Sequence, residues 1–209
     1  MAKKRTKRMT AAERREQLVE VGRTIFAKQG YEATTVEEIA RRARVSKPIV
    51  YEHFGGKEGL YAVVVDREMK SLLEGVTRSI GTGGPRERFE RAALAFLTYV
   101  ESNPAGFTVL SRDAPAERAA GGLSSVLNEL AARVTEIFAA EFRKLGYDPK
   151  SAPIYAHALV GMVTYVGQWW RKVRRRPPVR EVARHLAALS WTGLSQLPKR
   201  PALTIDEKD

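Results

Sequence analysis

The stretch Val45-Ser46-Lys47-Pro48-Ile49-Val50-Tyr51-Glu52-His53-Phe54, running straight into Gly55-Gly56-Lys57, decides how the chain is read. It sets a lysine, a proline, a tyrosine and a histidine on about two helical turns, too polar a set for a core helix. Serine is a good helix cap, and proline is tolerated in a first turn because those amides lack partners anyway. Val50 and Phe54 then fall on the inward side. Upstream, Thr35 with Glu38 three residues on opens another short helix, whose Val36, Ile39, Ala40 and Ala43 point inward. Only Arg44-Val45 separates the two. Residues 35–54 therefore read as a helix-turn-helix, in which the start of the second helix enters a major groove. A helical hairpin that merely shows a polar face to water has the same bare geometry.

On the DNA reading each residue has a task. Ser46 caps the second helix and offers its hydroxyl to a phosphate. Lys47 suits guanine acceptors, and Pro48 with Ile49 suits a thymine methyl. Tyr51 and His53 project one turn later, toward backbone phosphates. Gly55-Gly56 turns the chain sharply, so that Lys57 and the amides of the next helix start face the groove edge.

The rest of the chain reads as helix nearly throughout. Thr10-Ala11-Ala12-Glu13 is a capping box, followed inward by Leu18, Val21, Ile25 and Phe26 and stopped at Gly30. A fourth helix runs from Lys57 to about Ile80, and GTGGP (81–85) is the clearest break. Further helices are expected near 85–102, 104–112, 121–145, 152–175 and 179–196. Stripes of period 3.6 support them: Phe89, Ala93, Phe96, Leu97 and Val100, then Val126, Leu130, Val134, Ile137 and Phe138.

Composition agrees. The 209 residues leave room to bury a core without metal or disulfide staples, and 44% apolar with 29% charged is ordinary globular usage. Cysteine is absent, which excludes thiolate zinc sites and a cysteine nucleophile and suits a reducing compartment. The N-terminal MAKKRTKR has no apolar segment behind it, so a cytoplasmic protein is expected. The net charge of +12 is densest at the front: residues 1–56 hold 13 Lys and Arg against 7 Asp and Glu, and residues 57–209 hold 23 against 17. Such a field draws phosphate backbones.

The segment GYEATTVEEIARRARVSKPIVYEHFGGKEGLY resembles the DNA-binding signature of the TetR (tetracycline-repressor-like) transcriptional regulators. The matching positions are Gly30-Tyr31, Thr34-Thr35, Ile39-Ala40, Val45-Ser46, Tyr51, His53-Phe54, Lys57 and Leu60-Tyr61. One departs: the family commonly has glycine where this chain has Arg44, which costs on the order of 1 kcal/mol if that residue is left-handed and can be offset by a phosphate contact. The resemblance implies an all-α protein. A basic arm (1–11) precedes the helix-turn-helix domain (12–72), and a larger effector-binding and dimerisation domain (73–197) leads into a flexible tail (198–209). It implies a homodimer on a palindromic double-stranded operator, most often a repressor released by a small molecule. DNA-facing residues would be Thr35, Arg44, Ser46, Lys47, Pro48, Ile49, Tyr51, His53 and Lys57. The Ala/Arg-rich composition, together with VSKPIVYEHFGGKEGLY, also resembles actinobacterial members that govern lipid metabolism and sense acyl-CoA.

In the second half, Ala152–Trp170 is 19 residues without formal charge, followed by RKVRRR. Length and flank fit a membrane span, but Pro153, His157, Thr164 and Gln168 interrupt it. His157, Gly161, Thr164 and Gln168 form a small and polar stripe, and Ala183, Ala187 and Ser190 form another on the last helix. A buried dimer interface is the expectation, with no membrane. The basic run 171–176 reads as a solvated helix end. Phe96, Tyr99, Phe107, Leu110, Phe138, Phe142, Met162, Tyr165 and Trp169 are the expected lining of a pocket for an apolar effector, with Arg112 as an anionic anchor.

Catalysis finds no support. The three histidines (53, 157, 185) have no metal-ligand spacing, and GTGGP lacks the lysine and hydroxyl of a phosphate loop. No cofactor is expected. The rival reading is an architectural DNA-binding dimer without effector, which would show a steep salt dependence and little site discrimination.

Overall fold

The computed structural model describes residues 9–111, 123–199 and 201, and among these all regular structure is helical. The order is α1 (Ala11–Gln29), α2 (Val36–Ala43), α3 (Lys47–Phe54), α4 (Lys57–Ile80), α5 (Pro85–Ser102), α6 (Pro104–Ser111) and α7 (Leu123–Leu145). A single 3-10 turn (Pro149–Ser151) then leads into α8 (Ala152–Lys172) and α9 (Val179–Ser195).

Local chemistry sets these ends. The Glu13 amide donates to the Thr10 hydroxyl at 3.2 Å, while the Thr10 amide donates back to the Glu13 carboxylate at 2.7 Å. At α2 only half of such a box forms. The Glu38 amide reaches the Thr35 hydroxyl at 3.2 Å, but the Glu38 carboxylate instead accepts from Gln29 at 2.6 Å and pairs with Arg42 at 3.1 Å. α2 closes with the Val45 amide on the Ala40 carbonyl (3.0 Å) and the Arg44 amide on the Arg41 carbonyl (3.2 Å), a Schellman pair. That geometry puts Arg44 at φ 55, ψ 46, the one non-glycine residue with positive φ among those described.

Two compact units result. The first joins α1, α2, α3 and α4 through Lys70 with α6. Its core takes Leu18, Val19, Gly22, Ile25 and Phe26 from α1, so the inward face is turned slightly from the expected one and Val21 is only half-buried. Phe26, Tyr31 and Tyr61 pack ring to ring at 4.9–6.2 Å. α6 lies on α1, with Phe107 and Leu110 fully buried. These two residues are therefore core of the first unit, and not lining of an effector pocket as the sequence led us to expect.

The second unit holds α4 from Ser71 with α5, α7, α8 and α9. α5 packs against α8 and α9. Gly167 permits the close approach, since a Cβ there would lie 3.1 Å from the Phe96 ring. α8 stops at Lys172, short of the expected 175, because Trp170 is fully buried and its indole N–H donates to the Pro177 carbonyl at 2.8 Å. Arg176 covers the Trp170 ring and pairs with Glu101 at 3.8 Å, so the basic run is partly used inside the fold. No helix among the described residues is long and apolar enough to cross a membrane.

Candidate nucleic-acid interface and effector cavity

α3 is held by little. Val50 is its one fully buried side chain, while Ser46, Lys47, Pro48 and Tyr51 are exposed and Ile49, His53 and Phe54 half-buried. Its far end is fixed from outside: the Arg15 guanidinium donates to the His53 carbonyl at 2.8 Å and lies 4.4 Å above the Phe54 ring. Gly55 ends α3 at φ 70, and Gly56 continues at φ 126, conformations that favour glycine. Gly59 is needed for another reason, because a Cβ there would sit 1.9 Å from the Phe54 carbonyl oxygen.

The expected DNA-facing residues divide into six exposed ones, the half-buried Ile49 and His53, and Lys57, which is engaged within the fold. Thr35, Arg44, Ser46, Lys47, Pro48 and Tyr51 are exposed around the α2–α3 turn. Ser46 stands at the N-cap, yet its side chain makes no cap hydrogen bond, which corrects the expectation that it caps α3 and leaves its hydroxyl without that role. Lys47 forms an ion pair with Glu37, and that pairing, chiefly the Lys47 hydrogen bond, lowers the Glu37 pKa. Lys57 departs most from expectation. Its ammonium donates to the Tyr31 carbonyl at 3.0 Å and lies 4.1 Å from the Tyr31 ring centre, so it fastens the start of α4 to the α1–α2 loop. Arg41, which sequence reasoning passed over, is exposed beside Arg44. Being on the last turn of α2 next to the motif's turn was the available signal.

The second unit contains a cavity of about 390 Å³. Its wall is formed by Phe89 and Ala92 of α5, Val134, Ile137, Phe138 and Phe142 of α7, Leu159 of α8, and Trp191 and Leu194 of α9. It shares Ile80, Phe89, Ala92, Val134 and Leu159 with a narrower cleft that reaches Phe96 and Thr164. Of the expected lining, Phe96, Phe138 and Phe142 are here. Tyr99 borders a separate open groove with Leu72 and Leu94, and Met162 is half-buried on neither cavity wall. Tyr165 and Trp169 are corrected outright: they are 76% and 54% exposed on the outer face of α8. Arg112 lies outside the described residues. Part of the larger wall was present in the sequence as Phe89 and the stripe Val134, Ile137 and Phe138, all half-buried.

The expected interface residues need a matching correction. His157 and Gly161 are exposed and Gln168 half-buried, but Thr164, Ala183, Ala187 and Ser190 are buried within the chain and unavailable to a partner. Their hydroxyls are satisfied one turn back, Thr164 on the Val160 carbonyl and Ser190 on that of Leu186, both at 2.7 Å. The outward apolar residues are instead Ile154, Tyr165 and Trp169 on α8 and Leu189 on α9. Among the described residues no His/Cys/Asp/Glu group could hold a metal ion.

Residues 18–64 match the family model of the bacterial regulatory proteins of the tetR family, and residues 80–204 that of the tetracyclin repressor-like C-terminal domain. The transcriptional activator FasR of Mycolicibacterium smegmatis is 29% identical over 197 residues, spanning 93% of this chain and 89% of FasR. The repressor KstR2 of Rhodococcus jostii is 34% identical over 89 residues, 41% of this chain and 42% of KstR2. A TetR-like transcriptional regulator solved from Rhodococcus sp. RHA1 superposes with TM-score 0.76 at 27% identity, over 91% of this chain and all of that one. Two matched domains in the right order, on a fold that displays α3 and encloses a cavity, lead to one conclusion: the chain belongs to the TetR family of helix-turn-helix DNA-binding transcriptional regulators and is not an enzyme.

Proposed function

We propose that this chain is a ligand-responsive repressor that binds a palindromic operator as a homodimer and is governed by an apolar small molecule. The observation that carries the DNA part is the exposed start of α3, where Ser46, Lys47 and Pro48 stand free of the core while Val50 is the helix's one buried side chain. Lys47 reads bases, Tyr51 and Arg44 hold phosphates, and Arg41 adds a cation on the same turn. Lys57 acts one step behind, as a positioning residue for α4.

Dimerisation is supported by apolar surface that water-facing helices do not normally carry. Ile154, Tyr165, Trp169 and Leu189 are each more than half exposed. Covering Tyr165 and Trp169, 76% and 54% exposed, would remove on the order of 100–200 Å² each from water. The effector part is supported by the apolar cavity, whose volume falls in the range of about 300–1,000 Å³ typical of small-molecule sites.

The test is a nuclease footprint of the purified chain upstream of its own gene, at near-physiological salt, followed by transcription in vitro from the protected promoter. A protected palindrome with reduced transcript is the expected result. Diffuse protection that vanishes with modest added salt would favour an architectural binder instead. More transcript from a protected site would make the chain an activator and refute the sign of the regulation alone.

A further inference from the structure

The cavity of the second unit is lined mainly by apolar side chains, with four charged or hydroxyl-bearing residues among them. Of its charged and hydroxyl groups, three are already engaged within the fold. Glu141 pairs with Lys144 at 2.9 Å, the Tyr147 hydroxyl donates to the Leu197 carbonyl at 2.9 Å, and the Ser195 hydroxyl donates to the Thr192 carbonyl at 3.2 Å. The fourth is Arg88, whose Nε is buried without a hydrogen-bond partner. Its neighbours on α5 show that this is not the habit of that helix. Arg86 pairs with Glu90 at 2.8 Å, and Arg91 pairs with Glu87. Arg88 is thus the cation of that stretch left unpaired among the described residues. It sits in the first turns of α5, whose positive dipole end and Pro85 border the same cavity.

A guanidinium cannot shed its charge at any ordinary pH, and a buried donor without an acceptor costs stability. An anionic oxygen against the part of the Arg88 side chain that lines the cavity would meet its charge. The remainder of the wall is mostly apolar and leaves room for on the order of a dozen groups at roughly 30 Å³ each.

We infer that the effector is an amphipathic carboxylate, its head on Arg88 and its apolar body along Phe89, Phe138 and Leu159 toward the cleft at Phe96. This rests on the cavity being the effector site, and it adds the charge and the anchoring residue. Glu141 is the one acidic group on the wall, and its pairing with Lys144 keeps it from opposing the head group.

Titration calorimetry of the full chain with dodecanoate below its micellar range and with dodecan-1-ol below its solubility limit tests the inference. The acid should bind about tenfold to a hundredfold more tightly than the alcohol, the difference expected of one charge-assisted contact. Arg88→Met should erase that preference and leave the alcohol within about twofold, while Arg88→Lys should keep part of it. Equal binding of acid and alcohol by the unmutated chain would overturn the anchor and leave the cavity reading intact. Binding of neither probe, or binding unchanged in Ala92→Phe, which fills the wall shared by cavity and cleft, would overturn both.

Discussion

Replacing Arg44 with glycine should move stability and DNA binding in opposite directions. At φ 55, ψ 46 an L side chain crowds its own backbone, a cost of roughly 1–2 kcal/mol. Glycine removes that cost but frees the unfolded chain, which returns about 0.4–1 kcal/mol. The net gain is therefore about 0.5–1 kcal/mol, or roughly 1–4 °C in Tm for a chain of this size. No native ion pair is lost, since the Arg44 side chain is exposed and makes none among the described residues. On DNA the same change deletes a cation at the motif's turn. With Arg44 on a phosphate in each subunit, the slope of log affinity against log salt becomes shallower by about 0.9 per subunit, about 1.8 for the dimer. Thermal melts by circular dichroism and a salt series on the footprinted operator give the two readings. A Tm that stays put or falls would refute the strain argument. An unchanged salt slope would remove Arg44 from the interface.

Five further substitutions separate the remaining roles. Lys47→Ala should cost roughly 1–3 kcal/mol on the cognate operator and little on random DNA, whereas Tyr51→Phe should weaken both about equally; gel-shift titrations on the two DNAs decide. Lys57→Ala should lower stability by about 1–2 kcal/mol through loss of the Tyr31 contacts, seen as a lower Tm, and should weaken all DNA sequences in parallel. Trp169→Asp places a charge on the exposed α8 face and should yield monomers in sedimentation velocity; a dimer of unchanged affinity would reject that face. Glu13 is held below the ordinary carboxylate value by its hydrogen bond from the Thr10 amide. Its depressed pKa means the contribution is present above pH 4.5 and lost as pH falls through the lowered value. Glu13→Gln, which cannot ionise, should therefore flatten the acid limb of Tm against pH by lowering the neutral plateau slightly toward the acid value.

Helix boundaries were legible because caps and breakers are local. Thr10, Thr35, Gly30, Gly55 and Pro104 act within one turn, so their meaning survives without tertiary knowledge. Faces were less legible, for a reason visible in α9. Ala183 and Ala187 alternate with Ala188 and Leu189 around a helix that is apolar on more than one side, and only the packing on α5 shows which side is inward. The same ambiguity sent Tyr165 and Trp169 into the cavity on paper. Phe107 and Leu110 were misplaced because chain order put α6 with its neighbours, whereas it packs on α1, some 80 residues earlier. Lys57 and Arg15 show a further limit: a cation's partner across 26 or 38 residues has no sequence period to announce it.

The lone burial of Val50 bears on how operators can change over time. Because α3 is fixed by one inward side chain, by Arg15 on its terminal carbonyl and by the Gly55, Gly56 and Gly59 backbone, its outward positions carry almost none of the folding free energy. Substitutions at residues 46, 47, 48 and 51 can then be sampled at nearly constant stability, so a duplicated copy of this chain can acquire a new target sequence before it acquires a new effector.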